Sequence, residues 1–428
     1  MKILSDKFFD YAVLFVFVAI CLLIYLTAYP SIRTFLLTGT VHAFIIIILP
    51  LLVIRKLIGK EAFHFDLLCL FLCYLFFSFI SNPLYKDSQI SFLVYFLKPL
   101  AYLFMYFILI NTYKKDSYLI CIKAVVFIGV VEALIGASQV MFEFPAYKHL
   151  ITESENGLMS DDRNYLSMFG APKKTIQASG TFGHFNQMGG FMDVCAPLAY
   201  GVWRYYRTTF WFVVFAIIFY GGIVTFSRGC LISMTVGVFL VYVCMAKNSM
   251  TIFTRTLAIA TVAYLLAKPL ISAYAEDTNN ADVRSDTWDY AFAFAEKTPI
   301  NMIFGRGYDY FRTYVLDTDA APELALWSKP MMKDMHSAHV QLILEQGIIG
   351  ATLFYVGMIF VCIYFVKSKN HWGYAGFGMI IAFLIGNLFE HMLFSLHIGF
   401  LYFSVIGLII SVIRDDKKKQ EQAAYLNK

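Results

Sequence analysis

Residues 335–350 read MHSAHVQLILEQGIIG, two histidines three apart and then an apolar run holding one acid and two glycines. The spacing puts His336 and His339 about one helical turn apart. Such a pair suits a zinc site, a general base, or the start of a membrane helix with no chemistry at all. Zinc needs a third ligand at a regular offset, and neither that ligand nor an HExxH pattern is present, so no metal and no cofactor is expected. Gly347 and Gly350 suit close helix packing.

Arginines form the second chemical theme. TFSRG places Arg228 at the end of an apolar run, where it either snorkels to lipid headgroups or clamps an anion. Arg284 precedes Trp288 by four residues, so a guanidinium and an indole share one helical face. Arg306 stands between Gly305 and Gly307, a tight turn presenting one cation, and Arg312 follows. The planar fork of arginine stays charged and donates bidentate hydrogen bonds, which suits phosphate. GTFGHFNQMGG adds Asn186, Gln187 and His184 between glycines, a pattern for close approach of backbone to a helix or a ligand.

The elements that position these residues belong to a membrane. The 428-residue chain is 59% hydrophobic, 18% aromatic and 15% charged, with a mean hydropathy of +0.66. A soluble domain carries about a quarter charged residues. Apolar runs of about 20 residues recur throughout, long enough to cross a bilayer as helices, without the alternation of a β-barrel. The expected fold is all-α and polytopic, with about 12 transmembrane helices near 9–29, 35–54, 66–81, 90–111, 117–141, 182–203, 209–226, 229–246, 252–273, 338–366, 373–390 and 397–413. The first run follows Lys2 and Lys7 without a cleavage site and reads as a retained anchor. The eight cysteines all lie in or beside apolar runs, so no disulfide framework is implied.

Basic residues set the orientation. Arg55, Lys56 and Lys60, Lys114 and Lys115, Arg204 and Arg207, Lys247 and Arg255, and Lys367 and Lys369 fall on alternate connections. Both termini share that side, which is expected to be cytoplasmic, with residues 414–428 as a cytoplasmic tail. The net charge of +5 is thus explained by placement, and no nucleic-acid partner is expected. Two long loops, about 142–181 and 274–335, then face the extracytoplasmic side of a multi-pass membrane protein with one membrane domain over 1–428. The larger lies between the ninth and tenth helices; loops of that length are more often functional than connective. Lys98, Glu132, Asp193 and Glu390 are ionisable residues within apolar runs, and pairing or a cavity is expected for each. They keep a transporter reading open, although no inverted repeat or paired broken helices support it.

His336-Ser337, the nine residues 338–346, Gly347 and Gly350 together resemble the signature of the bacterial O-antigen ligase/polymerase superfamily. The SRG at 227–229, Arg284 with Trp288, Pro299 and the Gly-x-Gly of 305–307 are similar to it as well, as is GTFGHFNQ. The resemblance implies a GT-C type membrane glycosyltransferase that moves a glycan from undecaprenyl diphosphate to an acceptor hydroxyl on the periplasmic side. The ligase branch uses lipid A–core as acceptor; the polymerase branch uses the growing repeat-unit chain. Ligation is the first expectation, polymerisation the second, and a transporter or flippase a distant third.

The residues suit that reaction without a metal. Arginines offset the charge developing on a lipid diphosphate, and histidine is the natural base near neutral pH. His336 is expected to be the base, Arg284 and Arg228 the diphosphate contacts, and Arg306, Asn186, Trp288 and His339 substrate-binding residues. Neighbouring cations are expected to hold His336 neutral. Direct displacement inverts the anomeric carbon; a covalent route needs a positioned carboxylate, and no outer acid stands out in the sequence.

Overall fold

In the computed structural model the described residues are 11–12, 30–80, 89–112, 115–142, 177–182, 184–246, 288, 292, 299–307 and 336–426. Arg284, Arg312, the expected helix near 252–273, nearly all of that near 9–29, and most of both long loops lie outside them.

The apolar runs form helices because every backbone polar group must be satisfied internally where water is absent. They are α1 (Pro30–Gly59), α2 (Leu67–Ile80), α3 (Gln89–Asn111), α4 (Lys115–Met141), α5 (Phe185–Tyr206) and α6 (Thr209–Val224). After these come α7 (Arg228–Met245), the short α8 (Pro299–Phe304), α9 (Ala338–Lys367), α10 (His371–Gly386) and α11 (Leu396–Leu426). No strand occurs among the described residues. Four helical stretches, Asp116–Met141, Arg228–Met245, Ala338–Lys367 and His397–Tyr425, are long and apolar enough to cross a membrane, and shorter apolar helices accompany them. The expected helix near 373–390 stops four residues early, at Gly386, which leaves Glu390 in a turn. α3 runs through Pro99, as membrane helices tolerate.

Small residues let the helices approach. A Cβ on Gly237 of α7 would lie 2.7 Å from the carbonyl oxygen of Gly378 in α10, and one on Gly201 of α5 would lie 2.5 Å from the Ala375 Cβ. These contacts lock α5, α7 and α10 into one tight group. α9 runs antiparallel to α2, with Phe354 on Phe71 at 5.0 Å between centroids and Gly357 against the start of α2 at Leu68. α11 lies along α3, where the Arg414 guanidinium donates to the Ile110 carbonyl at 2.8 Å.

The two ends of the bundle differ in charge. At one end α5 passes to α6 through Arg204 and Arg207, and α9 passes to α10 through Lys367 and Lys369. The Tyr205 and His371 rings meet there at 5.9 Å. The N-termini of α5, α7 and α9 and the C-terminus of α10 gather at the opposite end, where the candidate site lies.

Candidate functional site

Two buried polar residues of α4 start the site. Gln139 Oε1 accepts from the backbone N–H of Ser179 and of Gly180, both at 3.0 Å, and its Nε2 donates to the Gly180 carbonyl at 2.9 Å. Two turns earlier on the same face, Glu132 accepts from Thr181 N–H at 2.8 Å and from its hydroxyl at 2.5 Å. Gly180 has φ +56°, and a Cβ there would sit 2.3 Å from Glu132 Oε2, so the turn admits only glycine comfortably. This anchored turn leads directly into α5.

α5 begins with His184 as its N-cap, whose Nδ1 accepts from Asn186 N–H at 3.2 Å. Gly189 faces Cys230 of α7 and Gly190 faces Met392, each closer than any Cβ allows. The glycines of GHFNQMGG thus serve close helix approach, and they bring Asn186 against the turn that follows α10.

α7 and α9 start in the same manner. Phe226 (φ +52°) precedes Ser227, the N-cap of α7, and His336 (φ +46°) precedes Ser337, the N-cap of α9. The Ser227 hydroxyl accepts from Cys230 N–H at 3.4 Å and that of Ser337 from Val340 N–H at 3.5 Å. A left-handed backbone costs a non-glycine residue about 1–2 kcal/mol, and at His336 the surroundings hold it. Ala338 N–H donates to both the Asn387 carbonyl at 2.9 Å and the Glu390 carbonyl at 3.0 Å. Asn387 is itself fixed, accepting from Leu393 N–H at 2.8 Å and donating to the Phe383 carbonyl at 2.7 Å. Arg228 opens α7, and Phe389 packs over the neighbouring Gly229.

The Glu390 carboxylate is the hub of this end. Its Oε1 accepts a hydrogen bond from the Asn186 amide. Its Oε2 lies 3.7 Å from His336 Nδ1 and 3.9 Å from His391 Nδ1. The His336 side chain is 29% exposed and that of Glu390 10%. Burial pushes the Glu390 carboxyl up, but the facing His336 and the positive fields of His391 and His184 outweigh it, so the net shift is below the ordinary carboxylate range. An imidazole at the rim, backed by an ionised carboxylate, can take a proton from a ligand and stabilise the charge that results.

The expected cations beside His336 are thus joined by an anion that favours the protonated ring, the opposite influence. Glu390 was legible only as an ionisable residue in an apolar run. The signal that marks it is its position beside His391 at the outer end of that run.

The expected binding residues are placed as follows. Asn186 is in the cluster. Trp288 packs with Phe292 and Met302 against Val340 and Leu344 of α9, an apolar cover on the first turns below His336. Arg306 lies beside a break in α9: Gly347 has φ +66° and ψ −176°. The carbonyls of Leu344 and Glu345 beside this break accept from Arg306 N–H at 3.2 Å and Gly307 N–H at 2.8 Å. In the amide orientation that satisfies both side chains, Asn301 Oδ1 accepts from Arg306 Nε at 2.9 Å and Nη2 at 3.1 Å. Leu344 is eight residues beyond His336, about 12 Å of helix.

His339 points elsewhere. Its Nε2 bonds the Leu384 carbonyl at 2.8 Å and its Nδ1 the Tyr355 hydroxyl. A carbonyl only accepts, so Nε2 carries the proton and Nδ1 accepts from Tyr355, tying α9 to α10. Among the described residues no group of three His, Cys, Asp or Glu side chains could hold a metal ion.

Residues 198–355 match a protein-family model described as O-antigen ligase. The match supports the O-antigen ligase/polymerase superfamily and a transferase of that type. It covers Arg228, Trp288, Arg306, His336 and His339, while Asn186 and Glu390 lie outside it. No curated protein matches the chain.

Proposed function

We propose, from the premise of an O-antigen ligase segment with His336 near its end, that the protein transfers a glycan from undecaprenyl diphosphate to a sugar hydroxyl of lipid A–core. The observation that carries this reading is the His336–Glu390 pair, set where three helix N-termini converge and 3.7 Å apart. Helix N-termini favour anions, so a diphosphate finds both partial charges and the Arg228 guanidinium at the head of α7. Arg284 is assigned to the same diphosphate, and Arg306, held at the α9 break, to a lesser share. The basic end of the bundle is assigned to the cytoplasm by the positive-inside rule, which turns the His336 end to the periplasm of the inner membrane.

In the transfer, His336 takes the proton of the acceptor hydroxyl as its oxygen attacks the anomeric carbon. The new glycosidic C–O bond forms while the bond to the phosphate oxygen breaks, and undecaprenyl diphosphate leaves with the electron pair. In-line attack inverts the anomeric centre. Trp288 covers the apolar stretch of α9 at Leu344, and His339 braces α9.

The test uses the purified chain in nanodiscs with an undecaprenyl-diphosphate-linked glycan and lipid A–core. His336→Ala and Arg228→Ala abolish transfer while the protein stays folded; full transfer by His336→Ala refutes the base assignment. A deletion strain separates the branches. Long lipid-linked polymer with bare lipid A–core supports ligation. Single repeat units on the carrier assign the chain to polymerisation instead, and lipid-linked glycan held on the cytoplasmic leaflet overturns both.

A further inference from the structure

We infer that Glu390 is a positioning residue for the transfer: clamped through Oε1 by Asn186, it turns Oε2 to His336 Nδ1, holds the proton on that nitrogen and leaves Nε2 to receive the acceptor proton. This rests on the reading of His336 as the base.

The geometry supports it at three points. The Asn186 amide nitrogen can only donate, so its bond to Oε1 fixes which oxygen remains for the imidazoles. The backbone carbonyl of the same Glu390 accepts from Ala338 N–H at 3.0 Å, two residues after His336. One residue therefore grips the His336 segment by main chain and faces its ring by side chain. The separation of 3.7 Å between Nδ1 and Oε2 is longer than a hydrogen bond; catalytic hydrogen bonds commonly shorten only with substrate bound. Buried as it is among the heads of α5, α7 and α9, the carboxylate keeps a strong field on the ring. The groups that share this field are His184 and Asn186 at the start of α5 and His391 at 3.9 Å from the same Oε2. None of them accepts a proton bond from His336 Nδ1 in the way a carboxylate oxygen does.

Glu390→Gln is the informative change. The glutamine carbonyl keeps the bond from Asn186, and its amide then presents N–H to Nδ1. That selects the tautomer with the proton on Nε2, the wrong nitrogen for a base. Steady-state transfer is measured in nanodiscs from about pH 5 to 9 for wild type, His336→Ala, Glu390→Gln, Glu390→Asp and Asn186→Ala.

Glu390→Gln is expected to lower kcat by at least about 10²-fold with little change in donor KM. The acid limb of its residual activity moves to lower pH, because a carboxylate no longer favours the protonated ring. Glu390→Asp recovers part of the loss, and Asn186→Ala falls between the two. A wild-type kcat in Glu390→Gln, or an acid limb left at the wild-type pH, overturns the proposal. If Glu390→Gln fails to fold, Asn186→Ala decides: an unchanged kcat there overturns it. Retained transfer in His336→Ala refutes instead the base reading beneath it, whatever Glu390→Gln does.

Discussion

Gly305 and Gly347 meet backbone against backbone at the break in α9. A Cβ on Gly347 would lie 2.4 Å from Gly305 N and 2.3 Å from the Ile303 carbonyl oxygen; one on Gly305 would lie 2.1 Å from the Glu345 carbonyl oxygen. Both have positive φ, so neither the conformation nor the space admits a side chain. The segment after α8 is thereby keyed to α9, and the key carries Arg306.

Gly347→Ala and Gly305→Ala are therefore expected to undock this segment. Loss of the two hydrogen bonds to the Leu344 and Glu345 carbonyls, with left-handed strain, amounts to about 2–4 kcal/mol. The thermal midpoint in detergent should fall in both variants. Proteolysis should cut near Arg306 faster than in wild type. Equal midpoints would mean that the keying contributes nothing to the fold.

The anchored turn before α5 gives a second expectation. Glu132→Ala removes the acceptor of both Thr181 donors, which are half-buried, a loss of about 1–3 kcal/mol. Glu132→Gln keeps one acceptor oxygen and is expected to lose less. Transfer should fall in the same order, since the turn sets His184 and Asn186. Full activity in a destabilised Glu132→Ala protein would uncouple the turn from the site.

The described helices were legible because apolar runs of membrane length leave the backbone few alternatives; the serine caps of α7 and α9 were not read. The glycines of 189–190 were legible as points of close approach to a helix or a ligand, and Gly350 as a packing position. What the sequence concealed is long-range. Glu390 meets Asn186 across 204 residues, and no local pattern relates them. The break at Gly347 was hidden too, because its partner lies in another segment; a glycine in a helix reads as packing until the chain that fills the gap is seen. His339 shows the converse. Its spacing from His336 suggested a shared task, yet one turn of helix aims it at Tyr355 and Leu384.

That placement of His339 makes a third expectation. Tyr355→Phe removes the donor to Nδ1 and should cost about 1 kcal/mol of stability. His339→Ala should cost more, since it strands both partners, while donor KM stays unchanged in each. A raised KM without a change in thermal midpoint would restore His339 to the substrate site.

The pH dependence of the folded state follows from Glu390. Its carboxyl is held below the ordinary carboxylate range, so the native state binds fewer protons than the unfolded chain as that range is traversed. Its contribution to stability is present above the unfolded value and is lost as pH falls through the lowered native one. Between about pH 5 and 8 the carboxylate stays ionised, and acid loss of transfer in that window reports the imidazoles. Thermal midpoints of wild type and Glu390→Gln should therefore converge only at acid pH. A gap that persists unchanged below the carboxylate range would assign the stabilisation to shape and not to charge.

Asp193 separates packing from ion coupling. It is buried in α5, accepts from the Ser233 hydroxyl at 2.7 Å and fills the space beside Gly386, where a Cβ would come within 2.3 Å of its Oδ2. Asparagine has nearly the same shape, and its carbonyl still accepts from Ser233. Asp193→Asn is expected to keep transfer within about threefold of wild type, well under the 1.4 kcal/mol that a tenfold loss represents. Ser233→Ala leaves a buried acceptor without its donor and should lower stability by about 1–3 kcal/mol. A transporter that moves protons through Asp193 would behave the other way, because asparagine cannot titrate. Loss of all activity in a folded Asp193→Asn protein would give that carboxyl a chemical role and reopen the ion-coupled reading.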